Sequence, residues 1–170
     1  MKTVKLILSV LFISSVTLFT SCSSDDDGGS GLSGVPTGEI VEVSLRQETL
    51  TGFDDEGNGS QKWWTHVVSS ADFSSDDCGD DQTVEDGGYY AWYPNGNYYY
   101  KTSINGSTTL AGSWEWTNSS KTKIYIHNNS TGAEGEMTLT YLNESNIVYG
   151  IKQSGGGCSV TTYEQFNNPF

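Results

Sequence analysis

The feature that most constrains the fold of this chain is a series of short β-type segments, separated by turn signals about every ten residues. Pro94-Asn95-Gly96 lies between two aromatic runs, and Asn-Gly in such a position is the strongest short-range signal for a β-hairpin. A helical period is almost absent. The sequence therefore predicts an all-β domain, in which an antiparallel meander of about eight strands forms a barrel, a half-open barrel or a sandwich.

The predicted strands cover residues 62–68, 89–93, 97–102, 113–117, 121–127, 136–142, 145–152 and 158–166. In the first of them, Trp64, His66 and Val68 are expected to share one face, because side chains alternate along a strand. Residues 39–50 fit neither period, and we expect either a short helix or an edge strand there. Residues 51–61 and the acidic stretch 69–88 are predicted to be loops.

The first residues have the pattern of an export signal rather than of a folded element. Lys2 and Lys5 precede an apolar stretch, residues 6–19, which is shorter than the roughly 20 residues that span a bilayer. It ends in Leu18-Phe19-Thr20-Ser21-Cys22, which resembles the bacterial lipobox. The resemblance implies a signal peptide over residues 1–21 and lipidation, such as palmitate, on Cys22. An ordinary secretory signal and an uncleaved anchor are the alternatives.

An acidic, Gly- and Ser-rich tether follows over residues 22–38 and leads to one domain over residues 39–170. Ser23-Ser24-Asp25-Asp26-Asp27-Gly28-Gly29 resembles the signal that sends lipoproteins of Bacteroidota to the outer face of the outer membrane. Such a composition also cannot form a core, so it serves as a solvated tether. We expect a lipid-anchored outer-membrane protein that faces the cell surface, with periplasmic retention as the alternative.

The charge of the chain limits its partners. The formal net charge is −13, and removal of residues 1–21 takes away two lysines and no acidic residue, which leaves −15. Nucleic acid is therefore not an expected partner, since phosphate backbones attract basic surfaces. Beside the membrane lipid of the anchor, we expect a small hydrophobic ligand or a glycan.

Two cysteines remain after Cys22. Disulfides persist in exported proteins, so Cys78 and Cys158 are expected to form one. Two buried free thiols are the alternative. Neither cysteine belongs to a Cys-x-x-Cys pattern, which argues against a redox or zinc role.

Three pairs of short motifs resemble the lipocalin-like domain of many Bacteroidota lipoproteins, over about residues 50–160. The pairs are Leu50-Thr51-Gly52 with Gln61-Lys62-Trp63, Cys78-Gly79-Asp80-Asp81 with Asn95-Gly96-Asn97-Tyr98, and Gly112-Ser113-Trp114 with Ile124-Tyr125-Ile126. The sequence departs from the family in its long loop after Gly52 and in the doubled tryptophan Trp63-Trp64. The resemblance implies an up-and-down barrel or a half-open version of one, and it implies no activity.

Motifs of catalysis are missing from the sequence. The chain lacks the Gly-x-Ser-x-Gly, His-Glu-x-x-His and Gly-rich phosphate-loop patterns, and its two histidines, His66 and His127, are expected to be packed or exposed. We predict no catalytic residue, no cofactor and no metal centre. Two alternatives concern the acidic residues: carboxylate-dependent hydrolysis, and weak calcium binding at residues 54–59 or 76–86.

Aromatic residues make up 12% of the chain and are concentrated between Trp63 and Trp116. They occupy consecutive positions on both strands of the hairpin around residues 94–96, so both of its faces are aromatic. One face can belong to the core, while the other is covered, lines a cavity or meets a ligand. The candidate ligand-binding residues are Trp64, Tyr90, Trp92, Tyr99, Trp114 and Trp116.

The leading hypothesis is therefore a lipid-anchored envelope binding module. Indole and phenol rings pack against sugar rings, whereas a lined cavity suits a small hydrophobic molecule. The first alternative is a structural or interaction subunit of an outer-membrane complex, in which the aromatic residues serve packing alone. The second is the carboxylate-dependent hydrolase.

Overall fold

The computed structural model describes residues 32–85 and 87–170, so the predicted signal peptide, Cys22 and the tether up to residue 31 lie outside the described residues. A 3-10 turn (Val43–Leu45) leads into one helix, α1 (Arg46–Thr51). Nine strands follow: β1 (Trp64–Phe73), β2 (Gln82–Val84), β3 (Tyr89–Trp92), β4 (Asn97–Lys101), β5 (Thr109–Trp116), β6 (Lys123–Asn128), β7 (Glu134–Leu142), β8 (Asn146–Gly155) and β9 (Cys158–Asn167).

The strands form one antiparallel sheet that closes on itself. From β3 to β9 each strand pairs with the next along the chain, and β1 pairs with both β3 and β9. These eight strands make a barrel, and β2 is an extra strand paired with β1. The prediction of an all-β antiparallel barrel is confirmed, and the pairing of β1 with β9 decides for a barrel over a sandwich.

All eight predicted strands are present, but the prediction of a loop over residues 69–88 is wrong in part. Strand β1 continues to Phe73, because it pairs with β9 from Thr65↔Asn167 to Phe73↔Val160. Within the same acidic stretch, β2 pairs with residues 69–71 of β1. All three residues of β2 are exposed, so it lacks the buried apolar face that reveals a strand in a sequence.

A β-bulge in β1 changes which of its side chains face the core. The register against β9 shifts between His66 and Val68, which gives β1 an extra residue at this point. Beyond the shift, Ser69 is buried while Val68 is only partly buried. The prediction that Val68 shares a face with Trp64 and His66 is therefore wrong, because alternation restarts after the bulge.

Helix α1 covers one end of the barrel, which we call the helix end. Leu50 is completely buried, and the Nε1–H of Trp64, in the first residue of β1, donates to the carbonyl oxygen of Leu50 at 2.9 Å. The Nε1–H of Trp116, in the last residue of β5, donates to Oε1 of Gln47 at 2.7 Å. Residues 39–50 thus form mainly a short helix, and only Ile40 makes a single bridge, to Leu142.

The interior of the barrel is filled by large side chains. Its buried cluster consists of Leu50, Trp64, Trp92, Tyr98, Trp114, Ile124, Ile126, Met137, Leu139, Leu142, Ile147, Tyr149 and Phe166. Aromatic rings pack edge to face there, as between Trp92 and Phe166, whose centroids are 5.1 Å apart. Such pairs add about 1 kcal/mol each beyond the burial of their apolar area.

The disulfide prediction is confirmed at the other end of the barrel, the disulfide end. Cys78 lies in the loop after β1, and Cys158 is the first residue of β9; their Cα atoms are 5.6 Å apart. In the chain-entropy model, closing a loop with a sequence separation of 80 contributes roughly 4 to 5 kcal/mol of stability.

The segment before α1 lies along the outside of the barrel. The N–H of Gly38 donates to the carbonyl oxygen of Thr140 at 3.0 Å, and that of Val41 donates to the carbonyl oxygen of Leu142 at 2.9 Å. Val35 is buried, although the composition of residues 22–38 assigned it to the tether. Among the described residues, no helix is long and apolar enough to cross a membrane.

Candidate functional site

Five of the six candidate aromatic residues belong to the interior cluster or pack against it: Trp64, Trp92 and Trp114 are members, and Tyr90 and Trp116 pack against them. Trp64 and Trp92 are 0% and 1% exposed, so neither offers a ligand a surface in this structure. Tyr90 also points inward: its ring lies 5.9 Å from that of His66 and 5.5 Å from that of Phe166. Packing in the interior accounts for the positions of Trp64, Tyr90 and Trp92.

Tyr99 lies on the opposite, outward face of the β3–β4 hairpin. Its ring meets that of Tyr93 at 4.7 Å, and the Lys101 ammonium lies over the ring of Trp63 at 3.9 Å. We call these four side chains the outer aromatic face. Both faces of the hairpin are therefore aromatic, as predicted from its consecutive aromatic positions.

The last two candidates, Trp114 and Trp116, line one surface depression of about 380 Å³ at the helix end. We call it the indole depression. Its lining residues are Gln47, Pro94, Asn95, Gly96, Trp114, Glu115 and Trp116. The two indole rings are edge to face, with centroids 5.5 Å apart and planes at 85°. Trp114 is 5% exposed and Trp116 is half-buried, so Trp116 has the larger accessible area.

The local sequence explains how the hairpin turn reaches this depression. Gly96 has a φ of +81°, which an L-residue adopts only with strain, and its N–H donates to the carbonyl oxygen of Tyr93 at 3.0 Å. The Oδ1 atom of Asn95 accepts the N–H of Asn97 at 3.1 Å. This turn therefore fixes the backbone of Asn95 at the rim and leaves its amide NH₂ group for other partners.

Hydrogen bonds inside the protein use both indole N–H groups of the depression. Trp114 donates to the carbonyl oxygen of Tyr93 at 3.0 Å, and Trp116 donates to Gln47 Oε1. The rings are thereby held in position. Among the polar lining residues Asn95 is exposed and Gln47 is buried, whereas Glu115 lies between two inward-facing tryptophans, so its carboxylate points to the outer face of β5. Apolar rings beside a few fixed polar groups are typical of ligand sites.

Sequence reasoning did not identify Gln47 and Asn95 as residues of the depression. No sequence signal indicates Gln47, since it reaches the depression only through the docking of α1 against the barrel.

A second depression, of about 340 Å³, lies on the other side of α1 and includes Trp63. An ion pair crosses it, with the Lys62 ammonium 2.8 Å from Oε2 of Glu144. Lys62 also lies over the ring of Trp64 at 4.4 Å. The cation of this depression is thus already paired, and it holds the loop before β1 against the β7–β8 turn.

A polar cluster lies inside the barrel, on β1 and β9. The Nε2 atom of His66 lies 2.7 Å from Oε2 of Glu164, and the Ser69 hydroxyl donates to the same carboxylate oxygen at 2.5 Å. Burial, and then the charge of Glu164, raise the pKa of Tyr149 well above its usual range. Sequence patterns gave no sign of Glu164, because the bulge in β1 sets which residues of the two strands meet.

Two other acidic residues, Asp54 and Glu134, take part in local structure. Asp54 accepts the backbone N–H groups of Glu56 and Asn58, and the hydrogen bonds from Asn58 lower the pKa of Asp54. Oε2 of Glu134 lies 3.1 Å from Nδ1 of His127 at the outer surface. In the described part of the chain, no three His, Cys, Asp or Glu side chains are grouped so that they could hold a metal ion.

No family model and no curated protein matches this chain. Among solved structures, the chain is similar to the ywiB protein from Bacillus subtilis, known from a crystal structure. The identity is 10%, the match covers 64% of this chain and 93% of that chain, and the TM-score is 0.24. A likeness of this size carries no argument about function.

Proposed function

We propose that this protein is a lipid-anchored binding module of the outer membrane, and that it binds a glycan in the indole depression. The observation that carries the proposal is one surface depression lined by Trp114 and Trp116 together with the side-chain amides Gln47 and Asn95. Indole faces pack against the C–H faces of sugar rings, while amides bond with hydroxyl groups.

A glycan fits this protein better than a small hydrophobic molecule. The interior, where an apolar ligand would lie, is filled by mutually packed rings such as those of Trp92, Tyr149 and Phe166. The indole depression, in contrast, is open to solvent at its polar rim. A sugar keeps many of its hydroxyl groups hydrated, so it needs only partial burial.

The course of the amino-terminal segment supports an orientation of the site away from the membrane. Gly34 lies beside Asp72, near the disulfide end of β1, while Val41 bonds with Leu142 at the helix end. The chain thus runs toward the helix end as it leaves the tether. An anchor at Cys22 would join the domain from the disulfide side and leave the indole depression facing outward.

The test is a titration of the purified protein with a panel of neutral glycans and a panel of apolar probes. Binding is measured by tryptophan fluorescence and by calorimetry. We expect a saturable change with a glycan and none with the apolar probes. Trp116→Leu should lower the affinity about tenfold or more, as truncation of a binding tryptophan commonly does.

The matched control is Trp63→Leu, which removes an indole from the second depression and should leave the affinity within about twofold of the original value. Far-ultraviolet circular dichroism and urea unfolding must show that both variants fold. Saturable binding of apolar probes alone, or equal effects of the two substitutions, would contradict a glycan site at Trp116.

A second candidate function is the interaction subunit, which is favoured by the outer aromatic face. Trp63, Tyr93 and Tyr99 lie outside the barrel, where they add nothing to its core. The interaction function would be favoured if neither ligand panel gave a binding signal and if a partner protein were cross-linked at Tyr99 on cells.

A further inference from the structure

We propose that the glycan of the indole depression is a neutral chain of several sugar units, and that the chain continues over the hairpin turn onto Tyr93 and Tyr99. This inference rests on the proposed function and names the class of glycan. Its basis is that one turn, residues 93–96, belongs to both surfaces. Three of its residues line the depression, and the fourth, Tyr93, forms a ring pair with Tyr99 on the outer aromatic face. We call these two side chains the tyrosine pair.

The first step concerns the size of the depression. Its volume, about 380 Å³, is near the lower end of the range for ligand sites, about 300 to 1,000 Å³. A longer glycan therefore extends beyond the depression onto neighbouring surface. Pro94 and Asn95 are exposed lining residues, so one way out of the depression leads across the turn.

The second step concerns the distance between the two surfaces. The N–H of Gly96 donates to the carbonyl oxygen of Tyr93 at 3.0 Å, which makes residues 93–96 a β-turn whose end Cα atoms lie within about 7 Å of each other. The same carbonyl oxygen accepts the Nε1–H of Trp114 at 3.0 Å. The backbone of Tyr93 thus lies against an indole of the depression, while its side chain belongs to the outer aromatic face. One oligosaccharide that crosses the turn therefore contacts both surfaces.

The third step concerns the accessibility of the tyrosine pair. Ala91 lies between the inward-facing residues Tyr90 and Trp92, so its Cβ points outward, yet it is 0% exposed. Side chains of the outer face therefore cover the sheet at this point, and Tyr99 is the cross-strand partner of Ala91. Tyr99 and its ring neighbour Tyr93 are only partly buried. Each of the two side chains thus keeps accessible area against which a sugar ring can pack.

Polar groups lie beside the tyrosine pair. Asn97 and Ser113 face outward, since their neighbours Tyr98 and Trp114 belong to the interior cluster. They are cross-strand partners, and Asn97 also lies opposite Tyr93, whose N–H donates to its carbonyl oxygen at 2.8 Å. Within the described part of the chain, no hydrogen bond engages the side-chain amide of Asn97 or the hydroxyl of Ser113. Both groups are therefore available to the hydroxyl groups of a sugar that packs on the tyrosine pair.

The charges of the protein favour a neutral chain. The lining residues of the depression include no Lys, Arg or His, and the formal net charge of −13 repels acidic chains from the surface. On the outer aromatic face, the Lys101 ammonium lies 3.9 Å from the centre of the Trp63 ring and so covers one side of that ring. The tyrosine pair therefore forms the sugar-binding part of this face, and Trp63 does not belong to it.

The experiment compares neutral chains that differ only in length: cellobiose with cellohexaose, maltose with maltohexaose, and mannobiose with mannohexaose. Binding to the purified protein is measured by tryptophan fluorescence and by calorimetry. We expect one of the hexasaccharides to bind about tenfold or more tightly than its disaccharide, because two linked contacts act together. Tyr99→Leu should lower the affinity for that hexasaccharide about fivefold or more and keep the affinity for the disaccharide within about twofold, since only the longer chain reaches the tyrosine pair.

Tyr163→Leu is the matched control. Tyr163 is also partly exposed, and it faces outward on β9, next to the inward-facing Glu164 and on the other side of β1 from the hairpin. Its substitution should change neither affinity. Far-ultraviolet circular dichroism and urea unfolding must show that both leucine variants fold.

Three results would overturn the inference. The first is equal binding of each disaccharide and its hexasaccharide. The second is an equal loss of affinity for the short and the long chain in Tyr99→Leu, which would mean that Tyr99 acts through the structure of the depression. The third is cross-linking of a partner protein at Tyr99 together with an unchanged hexasaccharide affinity in Tyr99→Leu, which would assign the tyrosine pair to that partner.

These failures differ from a failure of the proposed function. If the short and the long chain bind equally and Trp116→Leu weakens both, the glycan site stands and only its continuation onto the tyrosine pair is wrong. If no glycan of any panel binds, the proposed function is wrong and the inference falls with it.

Discussion

Individual residues show how this barrel places polar groups in an aromatic interior. Tyr98 is 5% exposed, and its hydroxyl bonds with the side chain of Asn128. Tyr149 is buried beside it, within the field of Glu164. Burial favours the neutral phenol over the phenolate, so the pKa of Tyr98 and that of Tyr149 are both raised far above the ordinary value of 10.0.

The raised pKa of Tyr98 predicts a loss of stability in alkali. Above pH 10 the unfolded chain releases the Tyr98 proton while the folded chain keeps it, so the free energy of unfolding falls as the pH rises. In Tyr98→Phe this fall should be less steep by up to about 1.4 kcal/mol per pH unit. The measurement is urea unfolding near pH 8 and between pH 10 and 11.

Near pH 8 the Tyr98 phenol is neutral in the folded and in the unfolded chain. At that pH, Tyr98→Phe should lose only the hydrogen bond with Asn128, which contributes about 1 kcal/mol. Equal slopes above pH 10 in the two proteins would show that Tyr98 ionises in the folded state as readily as in the unfolded one.

At the scale of elements, contacts in the structure explain several residues of the short motifs that resemble the lipocalin-like domain. Gly52 ends α1 with a φ of +84°, and its N–H donates to the carbonyl oxygen of Glu48 at 2.7 Å. Lys62 and Trp64, two residues apart, form a cation–π contact. Gly112 lies so close to β6 that an added Cβ would be 1.9 Å from the carbonyl oxygen of His127. Each motif marks a place where backbones or rings meet closely.

We expect Gly52→Ala to destabilise the protein by about 3 kcal/mol or more. A Cβ there would lie 1.9 Å from the carbonyl oxygen of Ser60, in addition to the cost of the left-handed conformation. Gly57→Ala is the control, since Gly57 has a similar φ of +87° and no atom within 4 Å of an added Cβ. It should cost about 1 to 2 kcal/mol.

Urea unfolding of the two alanine variants gives this comparison. Similar losses in both would mean that the Gly52–Ser60 contact relaxes freely and does not hold α1 over the end of the barrel.

At the scale of the whole molecule, the amino-terminal segment, the barrel and the helix act together. Residues 35–41 cover the outer side of β7 and β8, where Val148 is 1% exposed although it lies outside the interior cluster. The Thr140 hydroxyl donates to the carbonyl oxygen of Pro36 at 2.7 Å. The same segment leads into α1, so the covering of β7 and the position of the indole depression are linked.

This link predicts a difference between two shortened chains, one that begins at Leu32 and one that begins at Glu39. The second lacks the buried side chain of Val35 and two hydrogen bonds with Thr140, one to Pro36 and one from Gly38. We expect it to lose about 3 to 5 kcal/mol of unfolding free energy, from burial of one valine and two hydrogen bonds. Urea unfolding at neutral pH measures the loss, and equal stability of the two chains would place residues 35–38 outside the cooperative fold.

How far the sequence predicts this protein depends on how local each signal is. Alternation and the Asn95-Gly96 turn act between neighbouring residues, and they suffice for the eight main strands, the hairpin and the all-β class. The cysteine pair could also be predicted, because only two cysteines remain after Cys22. The export signal, the anchor and the glycan ligand stay predictions.

Tertiary structure alone decided which aromatic residues are core and which meet solvent. Trp64, Trp92, Trp114 and Trp116 have the same chemistry and lie in similar strands, yet their exposure depends on barrel closure and on the position of α1. The bulge that turns Val68 away, the pairing of β2 and the approach of Gln47 to Trp116 likewise arise between distant segments. Short-range patterns in a sequence carry the period of each strand, whereas the contacts that build a site depend on the register between strands, which no single segment contains.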